Sequence, residues 1–258
     1  MIMDQSERRK YLINALLKEN RRYERVQTPS ETSEQKQLLR SLMNVRFAAP
    51  IAKEFAVVQD EYLQEASAEK GFITLADMDE LQPDIFLWQG DITRLKVGAI
   101  VNAANSGMTG CYQPCHNCID NCIHTYAGIQ LRNYCAELME KQGYEEPTGQ
   151  AKITPSFNLP CDYVIHTVGP IVQGMLTHHH EELLRSCYES CLKIADENEV
   201  ESIAFCCIST GVFMFPNQRA AEIAIETVKH YKRSTGSFIK VIFNVFKDTD
   251  LEIYKELL

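Results

Sequence analysis

From residue 85 onward, short runs of β-branched and aromatic residues alternate with helical segments, and this alternation limits the possible folds more than any other feature. The strand candidates are residues 85–88, 99–101, 151–154, 163–168, 203–206 and 238–243. The helix candidates are 119–132, extending toward Gln142, then 180–198, 218–231 and 249–258. Parallel neighbours need a crossover between them, and a helical crossover packs back onto the sheet with one hand. The expectation is a three-layer α/β/α domain over 80–258 with a mostly parallel, mixed central sheet covered on both faces.

Residues 4–70 carry no strand signal and read as helices. Ser6 is placed to cap a first helix bearing Tyr11, Leu12, Leu16 and Leu17. After Thr28 and Pro29 a second carries Leu38, Leu39, Leu42 and Met43, and a third, over 52–65, carries Phe55, Val58 and Tyr62. Residues 1–79 are therefore expected to form an N-terminal helical extension. Its apolar stripes need a partner surface, since each fully buried Leu contributes about 1.5–3 kcal/mol.

The formal net charge of −9 argues against a nucleic-acid backbone as partner. No run nears the roughly 18 apolar residues of a membrane span, and no apolar leader follows Met1, so a cytoplasmic protein is expected. Ten cysteines in such a chain point to free thiols and metal ligation rather than a disulfide framework.

In a doubly covered parallel sheet, ligands sit outside the C-terminal ends of the strands. Four loops follow strands there: 89–93, 102–118, 167–170 and 209–216. Neither a dinucleotide G-x-G-x-x-G nor a Walker A loop is present. The loop after residues 99–101 leads to a helix start, an anion-binding corner, and carries Cys111, Cys115, His116, Cys118, Asp120, Cys122 and His124. Spacing leaves several metal sets open. Cys115 and Cys118 have knuckle spacing, Cys118 and Cys122 share a helix face, and Cys111, His116 and Cys118 make a three-ligand set that leaves one zinc position free. A closed structural clip that adds Cys115 or Cys122 is the competing reading.

Five motifs in order, GDIT at 90–93, AIVNAANS at 99–106, Ile123-His124 with Ala127-Gly128, HTVGP at 166–170 and ISTGVF at 208–213, resemble the macrodomain family of ADP-ribose-binding modules. The glycine-rich run usual after the asparagine motif is replaced by GCYQPCHNCIDN at 110–121, which is similar to the zinc-dependent microbial subgroup with a helical N-terminal extension. That resemblance implies a zinc ion, Zn2+, held by Cys111, His116 and Cys118, with Cys115 at a variable position. It implies adenine contacts from Asp91, the Ile92 backbone and Phe246, a diphosphate loop of Ser209, Thr210, Gly211, Val212 and Phe213, and a distal-ribose contact from Asn105. Met214 stands where many members have glycine. Asn102 is expected to brace the loop. Asp120 matches the residue that orients or activates water, although a carboxylate at a helix start also satisfies the dipole. His124 and His166 read as packed histidines, and His178, His179 and His180 as an exposed loop leading into a helix.

The function implied is a zinc-dependent hydrolase that removes mono-ADP-ribose from modified protein side chains, acidic ones first, with Asn105 and Asp120 as catalytic residues. A lipoyl-carrier protein is an implied partner, because several members are encoded beside one. The alternatives are a non-enzymatic ADP-ribose reader and an O-acetyl-ADP-ribose deacetylase.

Overall fold

The computed structural model describes residues 3–258. Three helices come first, α1 (Gln5–Lys18), α2 (Thr32–Val45) and α3 (Lys53–Lys70). The order continues with β1 (Asp79–Gln82), β2 (Ile85–Gln89), β3 (Ala99–Ala103), α4 (Ile119–Ala127), α5 (Ile129–Gln142), β4 (Ala151–Pro155) and β5 (Tyr163–Thr167). It closes with α6 (His178–Glu197), β6 (Ser202–Phe205), α7 (Asn217–Thr235), β7 (Lys240–Val245) and α8 (Asp248–Leu257).

The seven strands form one sheet in the order β1-β2-β7-β6-β3-β5-β4. The five inner strands are parallel, and β1 and β4 close the two edges antiparallel. Successive side chains of a strand point to opposite faces, and here both faces are dry. Ala99 and Val101 of β3 join the core under α6, α7 and α8, while Ile100 joins the one under α4 and α5. This is the three-layer α/β/α arrangement.

The extension has a core of its own, built from Leu12, Ile13, Leu16, Leu39, Leu42, Phe55 and Val58, and it reaches the domain through Ile129 of α5. Asp4, rather than Ser6, caps α1: its carboxylate accepts from the Glu7 N–H at 2.8 Å, and the Glu7 side chain answers the Asp4 N–H at 2.9 Å. Ser6 lies inside the first turn.

Other boundaries differ from the sequence reading. The helix expected to run on from 119 breaks at Gly128, whose φ is +96°. A Cβ there would come within 2.7 Å of Gln59 Nε2, so the glycine admits both the backbone turn and the close approach of α3. Gln59 uses that approach to accept from the Ile129 N–H at 3.1 Å. The strand expected over 238–243 is β7, shifted two residues later, and Phe238 is exposed. β1 gave no apolar signal because it is a solvated edge strand. The three histidines expected in a loop form the first turn of α6, where Thr177 caps the helix and His180 completes a capping box.

Candidate active site

The strand alternation brings all four loops and the start of α4 to the C-terminal edge of the parallel strands. Asn102, near the end of β3, is completely buried and is paired by register with His166 of β5. Its amide spends both hydrogens, one on Asp120 Oδ1 at 2.9 Å and one on His166 Nδ1 at 3.1 Å. With Nδ1 accepting, the His166 proton sits on Nε2 and points at Thr154 Oγ1, 3.0 Å away. Burial pushes this imidazole down to about 3, so it stays neutral.

Asp120, in the first turn of α4, is also buried. Removal from water pushes its carboxyl up to about 6, against the opposing pull of the Asn102 hydrogen bond and the Arg132 charge. The Asn105 amide donates to Gly110 O at 3.2 Å and to Asp120 Oδ2 at 3.4 Å, while its oxygen accepts from the Gly107 N–H at 3.0 Å. Asn105 and Asp120 are thus adjacent, and Asn102 holds the carboxylate from behind. One helical turn on, His124 lies with Nε2 3.6 Å from Asp120 Oδ1. Burial lowers its pKa well below the usual value, so it too is neutral. Gly110, at φ +84°, packs on the flat of that ring, and a Cβ would come within 2.7 Å of it.

Past Gly110 the donor atoms of Cys111, His116 and Cys118 lie within 4.8 Å of one another. In a tetrahedral zinc centre, Zn–S near 2.3 Å and Zn–N near 2.0–2.1 Å place a sulfur and a nitrogen about 3.5 Å apart. Cys111 Sγ and His116 Nδ1 are 3.6 Å apart, and two thiols with one imidazole are a borderline-soft set, so the residues fit zinc. Cys118 also ends the loop as the N-cap of α4, accepting from the Asn121 N–H at 3.4 Å.

The cluster contains neither Cys115 nor Cys122. Cys115, at φ +51°, turns its sulfur to Ser41 Oγ of α2 at 3.2 Å, and Cys122 lies 3.7 Å from Arg40 Nη2. A second group, His124, Cys135 and His166, also meets within 4.8 Å. His166 Nε2 carries a proton directed at Thr154, and burial pushes the Cys135 thiol up to about 12, so this group is a packed, neutral core cluster.

In the loop after β2, Asp91 starts a short 3-10 turn and accepts from the Thr93 N–H at 3.0 Å and the Thr93 hydroxyl at 2.6 Å. Its second oxygen lies 3.7 Å from Lys70 Nζ of α3, and that ammonium sits 3.4 Å above the Tyr126 ring. Ile92 is buried beside it. Phe246 follows β7, which pairs in parallel with β2, and the Gln89 side chain donates to its carbonyl at 3.3 Å. The Phe246 side chain is 76% exposed, so its aromatic face is open to solvent.

The 209–215 loop, which follows β6, turns on Ser209 and Met214, both left-handed, with φ of 64° and 58°. Met214 therefore has the backbone of a glycine position. The loop is tied to its neighbour by a hydrogen bond from the Val172 N–H to Phe213 O at 2.9 Å. Ser209 is buried, Val212 is exposed, and open space faces Gly211.

Sequence reasoning missed several residues around the cysteine-rich loop: Arg40, Ser41 and Asn44 of α2, and Arg132 of α5. Arg132 threads its guanidinium into the end of α2, donating to Met43 O at 3.0 Å, Asn44 O at 2.8 Å and Arg46 O at 2.6 Å, and from Nε to Thr109 O at 2.7 Å. The available signal was a polar row, Arg40, Ser41 and Asn44, beside the apolar stripe of α2.

The sheet order and the loops gathered on one edge define a three-layer α/β/α module of the kind that binds ligands at the C-terminal ends of its parallel strands. A Macro domain family model matches residues 101–224. Over 260 residues the chain is 59% identical to a protein-ADP-ribose hydrolase of Treponema medium, covering 99% of this chain and 100% of that one. It is 48% identical over 254 residues to a protein-ADP-ribose hydrolase of Staphylococcus aureus (strain MSSA476), covering 96% and 94%. Among solved structures, it resembles the Trypanosoma brucei macrodomain in complex with ADP-ribose, with a TM-score of 0.65, 25% identity, and 89% and 96% of the two chains covered. The chain belongs to the macrodomain family.

Proposed function

We propose that this protein is a zinc-dependent hydrolase that removes mono-ADP-ribose from modified protein side chains, with acidic residues as the acceptors. The observation that carries the reading is the adjacency of Asn105 and the buried Asp120 to the Cys111, His116 and Cys118 cluster. The names of the relatives from Treponema medium and Staphylococcus aureus support the same activity.

In this reading Asp91 accepts from the adenine amino group, the Ile92 backbone meets the ring, and the exposed face of Phe246 stacks on it. Backbone N–H groups of Ser209, Thr210, Gly211, Val212 and Phe213 meet the diphosphate. These contacts fix the distal ribose, so binding energy from the remote nucleotide is spent on orientation at the reacting carbon. Asn105 hydrogen-bonds a distal-ribose hydroxyl. Asp120, held by Asn102, accepts a proton from the water whose oxygen bonds to the anomeric carbon as the bond to the acceptor carboxylate breaks. A zinc ion on Cys111, His116 and Cys118 would supply Lewis-acid polarisation there. A lipoyl-carrier protein as the modified acceptor and a cytoplasmic location belong to the same proposal. The ten free cysteines agree with a reducing compartment.

The test is release of ADP-ribose from a mono-ADP-ribosylated carrier protein, followed by mass spectrometry alongside elemental analysis. Zinc close to one per chain and release by the native protein are expected, with both lost in Cys111→Ala and both kept in Cys115→Ala. Tight ADP-ribose binding without release from any modified protein would overturn the enzymatic reading in favour of a binding module.

A further inference from the structure

We infer that α2 is a brace that shapes the metal-ligand loop before any metal arrives, with Arg40 and Asn44 as its positioning residues. The inference rests on the reading of Cys111, His116 and Cys118 as ligands. The 104–118 segment has no helix or strand of its own, so its backbone polar groups must find partners elsewhere. The row Arg40, Ser41, Asn44 lies along one side of α2, next to the buried Leu39, Leu42 and Met43.

Arg40 Nη2 donates to the His116 carbonyl at 2.7 Å and to Asn121 Oδ1 at 3.0 Å. Asn121 then passes the contact on. Its Nδ2 donates to Cys111 O at 3.2 Å and Gln113 O at 2.9 Å, and its N–H reaches Cys118 Sγ at 3.4 Å. All three ligand residues are therefore fixed, by backbone or by sulfur, to a single asparagine and arginine pair.

Asn44, also buried, holds the apex of the loop. Its oxygen accepts from the Cys115 N–H at 2.9 Å, and its nitrogen donates to Thr125 Oγ1 at 2.9 Å, whose hydroxyl bonds Asn121 O at 2.7 Å. Cys115 needs that hold because its φ is +51°, a conformation ordinary side chains avoid. Tyr112 is pinned from both sides, by Phe47 at 5.3 Å between ring centroids and by the Arg132 guanidinium at 4.3 Å. The extension thus holds the loop through hydrogen bonds between residues 71 to 81 apart in the chain. Partners outside the ligand set that orient ligands are worth about 10- to 100-fold in metal affinity.

The experiment compares Arg40→Ala, Arg40→Lys and Asn44→Ala with Lys36→Ala, an exposed α2 control, in the full chain. In metal-free protein, amide exchange of residues 110–122 is expected to quicken about tenfold or more in both alanine variants, with α1 unchanged and Lys36→Ala silent. Competition against a chromophoric chelator is expected to show zinc bound about 10- to 100-fold more weakly, partly restored in Arg40→Lys. Affinity for free ADP-ribose should stay within about twofold, because the hydrogen bonds of Arg40 and Asn44 go to residues 115–125 and not to the residues read as adenine and diphosphate contacts. Unchanged exchange over 110–122, or equal quickening throughout the chain, would overturn the brace. If native protein takes up no zinc, the metal reading falls, and the exchange result still decides for or against the brace.

Discussion

At the scale of single residues, the site depends on buried polar groups whose few hydrogen bonds fix one another. The Asn102 amide serves a carboxylate and an imidazole at once, so it fixes both the position of Asp120 and the tautomer of His166. His166 has a measurable consequence for stability. It is held neutral in the folded chain with its pKa pushed down to about 3, and it titrates near 6.5 when unfolded. Between those values the unfolded state binds the extra proton. Stability is therefore intact above about pH 6.5 and drains as pH falls toward 3, at about 1.4 kcal/mol per pH unit. His124 is shifted the same way and adds to the slope. Urea unfolding at pH 7 and pH 5 is expected to show a loss of about 2 kcal/mol or more, reduced in His166→Gln relative to its own value at pH 7. A pH-independent midpoint over that range would show that the imidazole is solvated. The role of His166 as a packed residue was legible from its place in a strand pattern. Its cross-strand partner was not, because register between strands more than 60 residues apart leaves no local trace.

At the scale of elements, the helices carry the lesson. Apolar periodicity across 119–142 is continuous, and a periodic pattern does not reveal that the backbone turns sharply at Gly128. The break redirects α5 so that Arg132 reaches the end of α2 and Ile129 meets the core of the extension. Gly128→Ala is expected to destabilise the chain by about 1–3 kcal/mol. Alanine at positive φ is strained, and its Cβ would displace the Gln59 side chain that accepts from Ile129. Thermal unfolding of the variant measures this, and an unchanged midpoint would mean that the α3 contact yields freely. Every strand except β1, which was not read at all, was placed within a residue or two because β-branched runs mark them directly. β7 was read early because Phe238, an exposed aromatic, mimics the start of a buried run.

For the whole molecule, the extension and the α/β domain share buried polar contacts as well as an apolar seam. Arg132 donates into α2, Asn44 into α4, and Lys70 of α3 sits beside Asp91. Deleting residues 1–70 is expected to lower the melting temperature sharply or abolish soluble yield, since it leaves the buried Arg132 guanidinium without three of its carbonyl partners. Zinc content per folded chain should also fall, although all three ligands remain. A truncated protein with native melting temperature and full zinc content would show that the two parts are independent.

The sequence by itself determined the layers, the loops that meet at the strand ends, the presence of helices before residue 70 and a cysteine- and histidine-rich loop at 111–124, within which only the family resemblance chose Cys111, His116 and Cys118. These follow from periodicity, turn residues and side-chain chemistry, which are properties of a few neighbouring positions. Only the tertiary structure decided that Cys115 and Cys122 turn toward α2, that Phe246 stands open to solvent, and that Asn102 rather than a ligand residue holds Asp120. It also decided that α2 hydrogen-bonds the cysteine-rich loop through Arg40, Ser41 and Asn44. Each of these depends on which groups a folded chain brings together from far apart, where one buried donor or acceptor without a partner costs about 1–3 kcal/mol. Local patterning records which residues leave water; it does not record whom they meet.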